Sequence, residues 1–352
     1  MERNKLPDWP CSHLPPLTFG LIRKIPEDFQ VEEIMPVTPL GEGEHLWVQV
    51  HKRGLTTQTV AIELARWAGV QRRAVSFAGQ KDKFAETTQW FSIQLPGKPD
   101  PGSDFSLAGC RILDRQRHTQ KLRRGALDAN RFRIIVRECR GDRQTLEQRI
   151  KAIKKQGVPN YFGEQRFGRD GNNVESAKDY FARRYKPKGR EQRSILLSAS
   201  RSWIFNQVLA ERVRQENWSV AISGDLLMLS GSHSIFPFDE NDPEISTRLE
   251  NGDLSPTGPL FGKGKLNVTD TTAILENKIL ESNPELVEGL LKAGLKAARR
   301  SLRLIPEDFV FEWQDEETLV LSFTLPPGCY ATTLLRELVT YQPGYFIKTV
   351  VI

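Results

Sequence analysis

One aspartate stands out because it lies between two lysines, in a turn that leads into a segment with the pattern of a strand. This is Asp82, which follows Lys81 and precedes Lys83. A carboxylate beside a cation stays ionised even in a dry pocket, and an ionised carboxylate can act as a nucleophile or a general base. An aspartate between lysines is also common in solvated turns, so the wider pattern must decide between the two interpretations.

Hydrophobic periodicity predicts the elements that position this turn. Four segments alternate apolar and polar residues, as half-buried strands do. Their alternating apolar residues are Leu46, Val48 and Val50; Phe91, Ile93 and Leu95; Phe132, Ile134 and Val136; and Leu319, Leu321, Phe323 and Leu325. A helix is predicted over 57–69, because Val60, Leu64 and Trp67 share a helical face and Gly69 is a suitable stop. This pattern predicts an α+β domain with helices packed on a largely antiparallel sheet.

The middle of the chain is richer in predicted helix. Ser198 is the expected cap of a helix that runs to Arg214, and a second long helix is predicted from Glu285 to Leu304. A helix-rich segment between two strand-rich segments predicts an inserted domain.

Composition restricts the class of protein. The 352 residues suit two domains, and a net charge of +6 favours a polyanionic partner. The 4 cysteines lack a Cys-x-x-Cys spacing and only 5 histidines are present, so neither a metal site nor a disulfide framework is expected. No apolar run approaches the ~18 residues of a membrane span, and the first residues lack the apolar core of a signal peptide. We therefore expect a cytoplasmic protein that does not contact membranes.

Five motifs follow one another along the chain. They are Gly79, Lys81, Asp82, Ala85, Thr87 and Gln89; Pro26-Glu27-Asp28-Phe29, followed by Gly43-Glu44-His45; residues 125–132; residues 158–168; and residues 326–338. The first resembles the Gly-x-Lys-Asp-x-x-Ala-x-Thr-x-Gln signature of the TruD family of tRNA pseudouridine synthases. The other four are similar to further motifs of that family. The resemblance covers nearly the whole chain and is therefore specific.

The resemblance implies a fold and a division into domains. A pseudouridine synthase catalytic domain, α+β with a largely antiparallel sheet flanked by helices, is expected from residues 1–155 and 306–352. A family-specific α/β insertion domain is expected over 156–305.

The resemblance also implies the site residues. Asp82 corresponds to the essential aspartate. Phe29, Asn130 and Tyr330 correspond to substrate contacts, although Tyr330 replaces the phenylalanine that is common in the family. Supporting roles are expected for Arg23, Lys81 and Phe132. Arg23 matches a basic residue that precedes the Pro-Glu-Asp-Phe motif, and Lys24 is the neighbour that could substitute for it.

The implied reaction converts a uridine of tRNA, uridine 13 in the D-arm, to pseudouridine. The C1′–N1 bond breaks, the base rotates, and C5 joins C1′. This isomerisation is redox-neutral and transfers no phosphate, so a carboxylate suffices and no metal or cofactor is expected. Asp82 could attack C1′, attack the uracil ring, or remove a ribose proton to give a glycal. The same carboxylate could later remove the C5 proton, because no second base is evident. The expected partner is tRNA, with no obligatory protein partner.

Two other functions fit part of the same pattern. An RNA-binding protein with a catalytically silent pocket would have the same basic segments, and only the intact Lys81-Asp82 motif argues against it. A hydrolase of nucleosides or glycans would use a second carboxylate and release the free base.

Basic residues cluster in three segments that could track phosphates. They are Arg111, Arg115, Arg117, Lys121, Arg123 and Arg124; Arg183, Arg184, Lys186, Lys188, Arg190 and Arg193; and Lys292, Lys296, Arg299, Arg300 and Arg303. The first segment leads directly to Asn130. The second contains Pro187 and Gly189 and is also compatible with a mobile loop. In the third, Lys292, Lys296, Arg299 and Arg303 are predicted to form a stripe along one face of the helix over 285–304.

Overall fold

A computed structural model of the chain describes residues 7–13, 15–37, 39–168, 171–232 and 234–344. Within these residues the strands are β1 Thr18–Ile22, β2 Phe29–Ile34, β3 His45–Arg53, β4 Val75–Phe77, β5 Glu86–Gln94, β6 Cys110–His118, β7 Ala129–Gly141, β8 Val158–Pro159, β9 Leu226–Leu229, β10 Ile235–Pro237, β11 Leu254–Leu260, β12 Ala298–Ser301, β13 Arg303–Leu304, β14 Glu307–Trp313, β15 Leu319–Leu325 and β16 Thr340–Pro343. The α-helices are α1 Thr57–Trp67, α2 Arg143–Gln156, α3 Asn172–Phe181, α4 Arg190–Arg214, α5 Pro243–Glu250, α6 Asp270–Glu281, α7 Pro284–Ala293 and α8 Ala331–Leu338.

The chain forms two compact units. The sheet unit comprises Leu17–Arg143, Pro306–Gly328 and Val339–Ile352, and the helix-rich unit comprises Met1–Pro16, Gln144–Ile305 and Cys329–Leu338. Among the helices of the described residues, none is long and apolar enough to cross a membrane.

The sheet unit is built on one mixed sheet. Its main path runs β14-β15-β7-β2-β5-β3-β6. In addition, β1 pairs with the last part of β7, β16 pairs with β1, and β4 pairs with β5. Neighbours along the main path are antiparallel except β2 and β5, which are parallel. The expectation of an α+β fold with a largely antiparallel sheet is confirmed.

The first part of β3 is covered on both faces, so the prediction of a half-buried strand is wrong for that part and holds for the remainder. Leu46 and Val48 pack in an apolar cluster with α1, including its Leu64. Trp47 points to the opposite face and packs with Trp90 and with residues of the segment 119–128. Because α1 covers one face and that segment covers the first part of the other, the outward residues His45 and Trp47 are buried as well. Gln49 and His51 further along this face are only partly buried.

The helix α1 has the ends that the sequence predicts. The Thr56 hydroxyl accepts a hydrogen bond from the Thr59 N–H at 3.0 Å, which caps the first turn. Gly69 adopts φ 58° two residues after the last helical residue, and its N–H donates to the Arg66 carbonyl. Glycine tolerates this left-handed conformation, and the helix therefore ends here.

The helix-rich unit is organised around the long helix α4. Its apolar face includes Ile204, Phe205 and Leu209 in the main cluster of this unit. The predicted cap at Ser198 is wrong, because α4 begins at Arg190 and Gly189 is the residue before it. Ser198 therefore lies inside the helix. A sheet with the order β10-β9-β11-β12 and the short pair β13-β8 complete the unit.

The predicted helix from Glu285 to Leu304 is also wrong. Helix α7 ends at Ala293 because Gly294 adopts a left-handed conformation, with φ 77°. The chain then returns as β12, which pairs antiparallel with β11. The basic residues after Gly294 consequently do not share a helical face: Arg299 and Arg300 lie on β12, and Arg303 lies on β13.

Candidate active site

Strand pairing gathers most of the expected site residues on one face of the sheet unit. In the antiparallel register of β2 and β7, Val31 lies opposite Phe132 and Glu33 lies opposite Asn130. Directly paired residues point to the same face of a sheet, and so do residues two apart in one strand. Phe29, Glu33, Asn130 and Phe132 therefore share a face.

Asp82 belongs to a loop over residues 78–85, which joins β4 to β5. The loop leaves the sheet after Phe77, which pairs with Phe91 of β5, and returns at Glu86, which pairs with Gln30 of β2. Because β5 pairs with β4 along one part and with β2 along another, the loop lies where the two partners of β5 meet. This arrangement brings Asp82 to the same part of the sheet as β2.

Three carbonyl groups of the loop are held by hydrogen bonds. The Ala78 carbonyl accepts from the Gly125 N–H at 2.8 Å, and the Gly79 carbonyl accepts from the Gln89 side chain at 3.3 Å. The Asp82 carbonyl accepts from the Lys52 ammonium at 2.9 Å. A loop fixed at several backbone positions can hold a carboxylate in one orientation before the substrate arrives.

The first residue of α1 also holds the loop. The Thr57 hydroxyl accepts a hydrogen bond from the Lys81 N–H at 2.9 Å and donates to the Gln89 Oε1 at 2.9 Å. Gln89 is therefore oriented with its amino group toward the Gly79 carbonyl, which agrees with the bond described above. Gln89 and Thr57 are buried, so water does not compete for these bonds.

The Asp82 carboxylate is shared between a backbone amide and a guanidinium. Its Oδ1 accepts from the Phe84 N–H at 3.0 Å, and its Oδ2 lies 3.1 Å from Nη2 of Arg23. The Asp82 side chain is 33% exposed, whereas that of Arg23 is 10% exposed. The carboxylate is thus accessible to a substrate while its counter-ion is largely buried.

Arg23 reaches Asp82 from a strained position in the chain. Its backbone has φ 58°, which is uncommon for a residue other than glycine. The guanidinium carbon lies 4.1 Å from the centre of the Phe29 ring, so the ring supports the planar cation. Lys24, the expected substitute, does not serve Asp82, because its ammonium pairs with Glu138 at 2.8 Å.

Lys81 contacts other groups than its sequence neighbour Asp82. Its ammonium lies 2.7 Å from Oε1 of Glu33 and donates to Oδ1 of Asn130 at 2.9 Å. The Glu33 side chain is fully buried, and its Oε2 accepts from the Trp90 N–H at 2.9 Å. Lys81 therefore connects Asn130 to a carboxylate that the sequence analysis did not single out. The available signal was a charge at an inward position of β2, two residues after Val31.

Lys52 is a second residue that the sequence analysis missed. It is fully buried, and its ammonium donates to the carbonyls of Leu55, at 2.8 Å, and Asp82. Burial lowers the pKa of Lys52 to about 8, although the charge of Asp82 acts in the opposite direction. Lys52 continues the inward series Leu46, Val48 and Val50, so a charge in an apolar alternation was again the available signal.

The aromatic residues of the site form a chain of ring contacts. Phe29 packs edge-on against Phe132 with ring centres 6.2 Å apart, and Phe132 stacks on Phe323 at 5.4 Å. Phe29 is only 4% exposed. These contacts fix the ring on which the Arg23 guanidinium lies.

Tyr330 belongs to the helix-rich unit, whereas the residues described above belong to the sheet unit. Its hydroxyl accepts a hydrogen bond from Nε of Arg166 at 2.9 Å, and Nη1 of Arg166 donates to the Ser198 hydroxyl at 2.8 Å. Phe162 packs edge-on against the Tyr330 ring. A Cβ atom at Gly163 would lie 2.8 Å from a ring carbon of Tyr330, so this close approach requires glycine.

The basic segments differ in their availability to a ligand. In the first, Arg117 pairs with Asp100 and Arg115 donates to backbone carbonyls. Lys121, Arg123 and Arg124 are exposed and form no ion pair within the described residues. These three residues line a cavity of about 430 Å³ together with Arg72 and other residues of the sheet unit. The cavity is therefore strongly cationic.

The second basic segment is exposed, and two of its six basic residues have partners within the described residues. Arg184 pairs with Asp179 and Arg193 donates to the Tyr180 hydroxyl, and the helix α4 begins at Arg190.

The predicted phosphate-binding stripe of the third segment is wrong. Arg299 forms a buried ion pair with Glu276 at 2.7 Å, and Arg303 is buried and donates to backbone carbonyls. Lys292 lies on α7, where its ammonium pairs with Glu288. The four residues expected on one helical face thus lie on different elements.

Comparison with known proteins identifies the family. The family model described as tRNA pseudouridine synthase D (TruD) matches residues 12–186 and 182–338. A protein named tRNA pseudouridine synthase D from Hydrogenovibrio crunogenus is 45% identical over 92% of this chain and 93% of its own length. A protein of the same name from Pseudomonas syringae pv. tomato is 48% identical over 90% of both chains. A solved TruD-named structure from Methanosarcina mazei, 24% identical, has the same fold with a TM-score of 0.69 over 96% of this chain and 97% of its own. Since the family model and both relatives span most of the chain, the chain belongs to the TruD family of tRNA pseudouridine synthases.

Proposed function

We propose that this protein isomerises a uridine of tRNA to pseudouridine and that Asp82 is its catalytic carboxylate. The family and the names of the relatives support the reaction and the substrate class. By family resemblance the target is uridine 13 in the D-arm. The reaction needs one carboxylate beside C1′ or the uracil ring, and it needs no electron or phosphate transfer.

One observation supports the assignment of Asp82 more than any other. Its carboxylate is partly exposed and paired with the nearly buried guanidinium of Arg23, while its own backbone carbonyl is bonded to Lys52. Nucleophilic and basic roles both require an ionised carboxylate that faces the substrate in a fixed orientation. Attack on C1′, attack on the ring and proton removal from the ribose all use this same group, so the assignment holds for each of the three mechanisms.

The target base must leave its stack to reach Asp82, which requires groups that receive it. We propose Asn130, Phe29 and Tyr330 for this role. Asn130 is half-buried and presents an amide to the edge of the base. Phe29 is almost fully buried below Arg23, so it acts mainly by supporting the guanidinium and closing the pocket. The ring of Tyr330 offers a surface for stacking.

We further propose that the sheet unit contains the catalytic domain and that residues 156–305 are the insertion domain of the family. The residues around Asp82 all come from the sheet unit, which supports this division of roles.

We also propose that Lys121, Arg123 and Arg124 contact the tRNA backbone. They are exposed and lie in the segment that precedes Asn130, and the Gly125 N–H of that segment holds the Ala78 carbonyl of the site loop.

The test is pseudouridine mapping on tRNA treated with the pure protein. A carbodiimide adduct that stops reverse transcription should appear at one D-arm uridine with the native protein and not with Asp82→Asn. Binding of tRNA without any new stop would support the catalytically silent alternative and contradict the proposal. Free uracil among the products would instead indicate a hydrolase.

A further inference from the structure

The Lys81 ammonium decides which end of the Asn130 amide faces outward. An ammonium group has hydrogens to donate and no lone pair to accept with, so the Asn130 atom 2.9 Å from it must be the amide oxygen. The amino group of Asn130 consequently points away from Lys81. Within the described part of the chain, this amino group has no hydrogen-bond partner, so it is free to donate to a ligand.

The orientation of Lys81 is itself fixed. Its ammonium pairs with the fully buried Glu33, whose second oxygen is held by the Trp90 N–H, and its backbone N–H is bonded to Thr57. If the Asn130 amide rotated by half a turn, its amino group would face the ammonium and two donors would oppose each other. The charge-assisted bond would then be lost in a largely buried place. The amide is therefore held in one of its two orientations.

We propose that Lys81 is a positioning residue that makes Asn130 a hydrogen-bond donor to the O4 carbonyl of the target base, which selects uracil over cytosine. This inference rests on the proposed function, in which Asn130 contacts the base. Uracil has an accepting oxygen at position 4, whereas cytosine has an amino group that donates. A fixed donor at this place bonds to uracil and opposes cytosine.

The rotation of the base during the reaction makes a fixed donor especially suitable. Turning the detached ring about its N3–C6 axis brings C5 to the place of N1, and it also brings the O2 carbonyl to the place of O4. An amide that donates finds an accepting oxygen in both orientations. Asn130 can thus hold the base before and after the C–C bond forms, without turning its own amide. Cytosine would present an accepting oxygen in only one of the two orientations.

The experiment compares Asn130→Asp with Asn130→Ala in single-turnover reactions on tRNA. The carboxylate introduced by Asn130→Asp can still pair with Lys81, so folding should survive, but it presents an accepting oxygen where the native residue presents a donor. If Asn130 donates, Asn130→Asp should be slower than Asn130→Ala by about tenfold, because the carboxylate opposes the carbonyl of the base. If Asn130→Asp is as fast as or faster than Asn130→Ala, the inference is wrong.

A second experiment measures the preference for uridine over cytidine by binding, without turnover. In an Asp82→Asn background, the affinity for tRNA carrying uridine at the target position is compared with that for tRNA carrying cytidine there. Uridine should be preferred with Asn130, the preference should fall with Lys81→Met or Asn130→Ala, and cytidine should be preferred with Asn130→Asp. An unchanged preference in all three variants would overturn the inference. If the native protein forms no pseudouridine on any tRNA, the proposed function fails and this inference fails with it, whereas failure of the selectivity alone leaves the proposed function standing.

Discussion

Arg23 and Asp82 form an ion pair in which Nη2 lies 3.1 Å from Oδ2, and Arg23 makes this contact from a left-handed backbone conformation. Backbone strain of this kind persists where the surroundings hold it, and it is concentrated at functional sites. Here the surroundings include the Phe29 ring under the guanidinium. The pair therefore combines a charge contact with a rigid support.

We expect Asp82→Asn to abolish isomerisation and to leave tRNA affinity nearly unchanged. The amide keeps the shape of the side chain and can still accept from the Phe84 N–H, but it is neither a nucleophile nor a base at neutral pH. Pseudouridine formation and tRNA binding are measured on the same preparation. Turnover above background in a preparation free of native protein would contradict the assignment of Asp82.

We expect Arg23→Met to lower the single-turnover rate by about 100-fold, which corresponds to ~2.7 kcal/mol. The variant removes the counter-ion of Asp82 and the cation on the Phe29 ring. Arg23→Lys should lose less, because it keeps the charge but not the planar contact with the ring.

The matched control for Arg23 is its neighbour. Lys24→Met removes a cation that pairs with Glu138 in an exposed position, so it should behave like the native protein. If Lys24→Met and Arg23→Met were equally slow, the ion pair with Asp82 would not explain the effect.

We expect Lys52→Met to slow isomerisation without loss of stability at neutral pH. The Asp82 carbonyl loses its buried donor, so the loop is held less firmly, while the cost of burying a charge is removed. Rates are measured in single turnover, and the free energy of unfolding by urea titration. A large loss of stability at pH 7 would show that the ammonium stabilises the fold as a whole.

The pH dependence of stability provides a further check on Lys52. Its folded pKa of about 8 lies below the ordinary value of 10.5, so the unfolded chain binds one more proton between these two pH values. Stability rises with pH where the unfolded chain binds more protons, so Lys52 makes the free energy of unfolding increase from pH 8 to pH 10.5. This added stability is lost as the pH falls from 10.5 to 8. The native protein should gain on the order of 3 kcal/mol relative to Lys52→Met between pH 8 and 10.5. Parallel stability curves for the two proteins would contradict the lowered pKa.

We expect Arg123→Glu and Arg124→Glu to weaken tRNA binding and to reduce its salt dependence by about one unit of slope for each phosphate that is no longer neutralised. Both residues are exposed beside the cationic cavity. Binding is titrated at several salt concentrations. Lys292→Gln is the control, because its ammonium already pairs with Glu288 and its slope should not change. If the salt dependence has the same slope in all variants, Arg123 and Arg124 face solvent and do not contact the tRNA.

Periodicity located the strands β3, β5, β7 and β15 because their inward positions are apolar. It did not reveal the burial of Trp47, since the cover on the opposite face comes from a distant segment. It also extended one helix past Gly294, because the buried side chains of Arg299 in β12 and Arg303 in β13 have the spacing of a charged stripe on a helix.

The motifs identified Asp82 and Arg23, and the structure brings these two residues into contact. The roles of Lys81 and Lys52 did not follow from the motifs. Lys81 contacts both Glu33 and Asn130 because the register of β2 and β7 places these two residues opposite each other. Lys52 contacts the Asp82 carbonyl because the loop over 78–85 passes beside it. Buried lysines are unusual because burial of an unpaired charge is costly, so a lysine at an inward strand position, such as Lys52, indicates a specific polar partner.

The last prediction concerns Tyr330, whose hydroxyl has a partner in Arg166. If the ring stacks on a base, Tyr330→Phe should keep most of its activity, whereas Tyr330→Ala should lose about 1–3 kcal/mol of substrate interaction. Ser198→Ala removes the other hydrogen bond of Arg166 without touching the ring, so it measures what the position of Arg166 alone contributes. Single-turnover rates of the three variants separate the possibilities. A loss in Tyr330→Phe that equals the loss in Tyr330→Ala would mean that the hydroxyl bond to Arg166, and not stacking, is what Tyr330 provides.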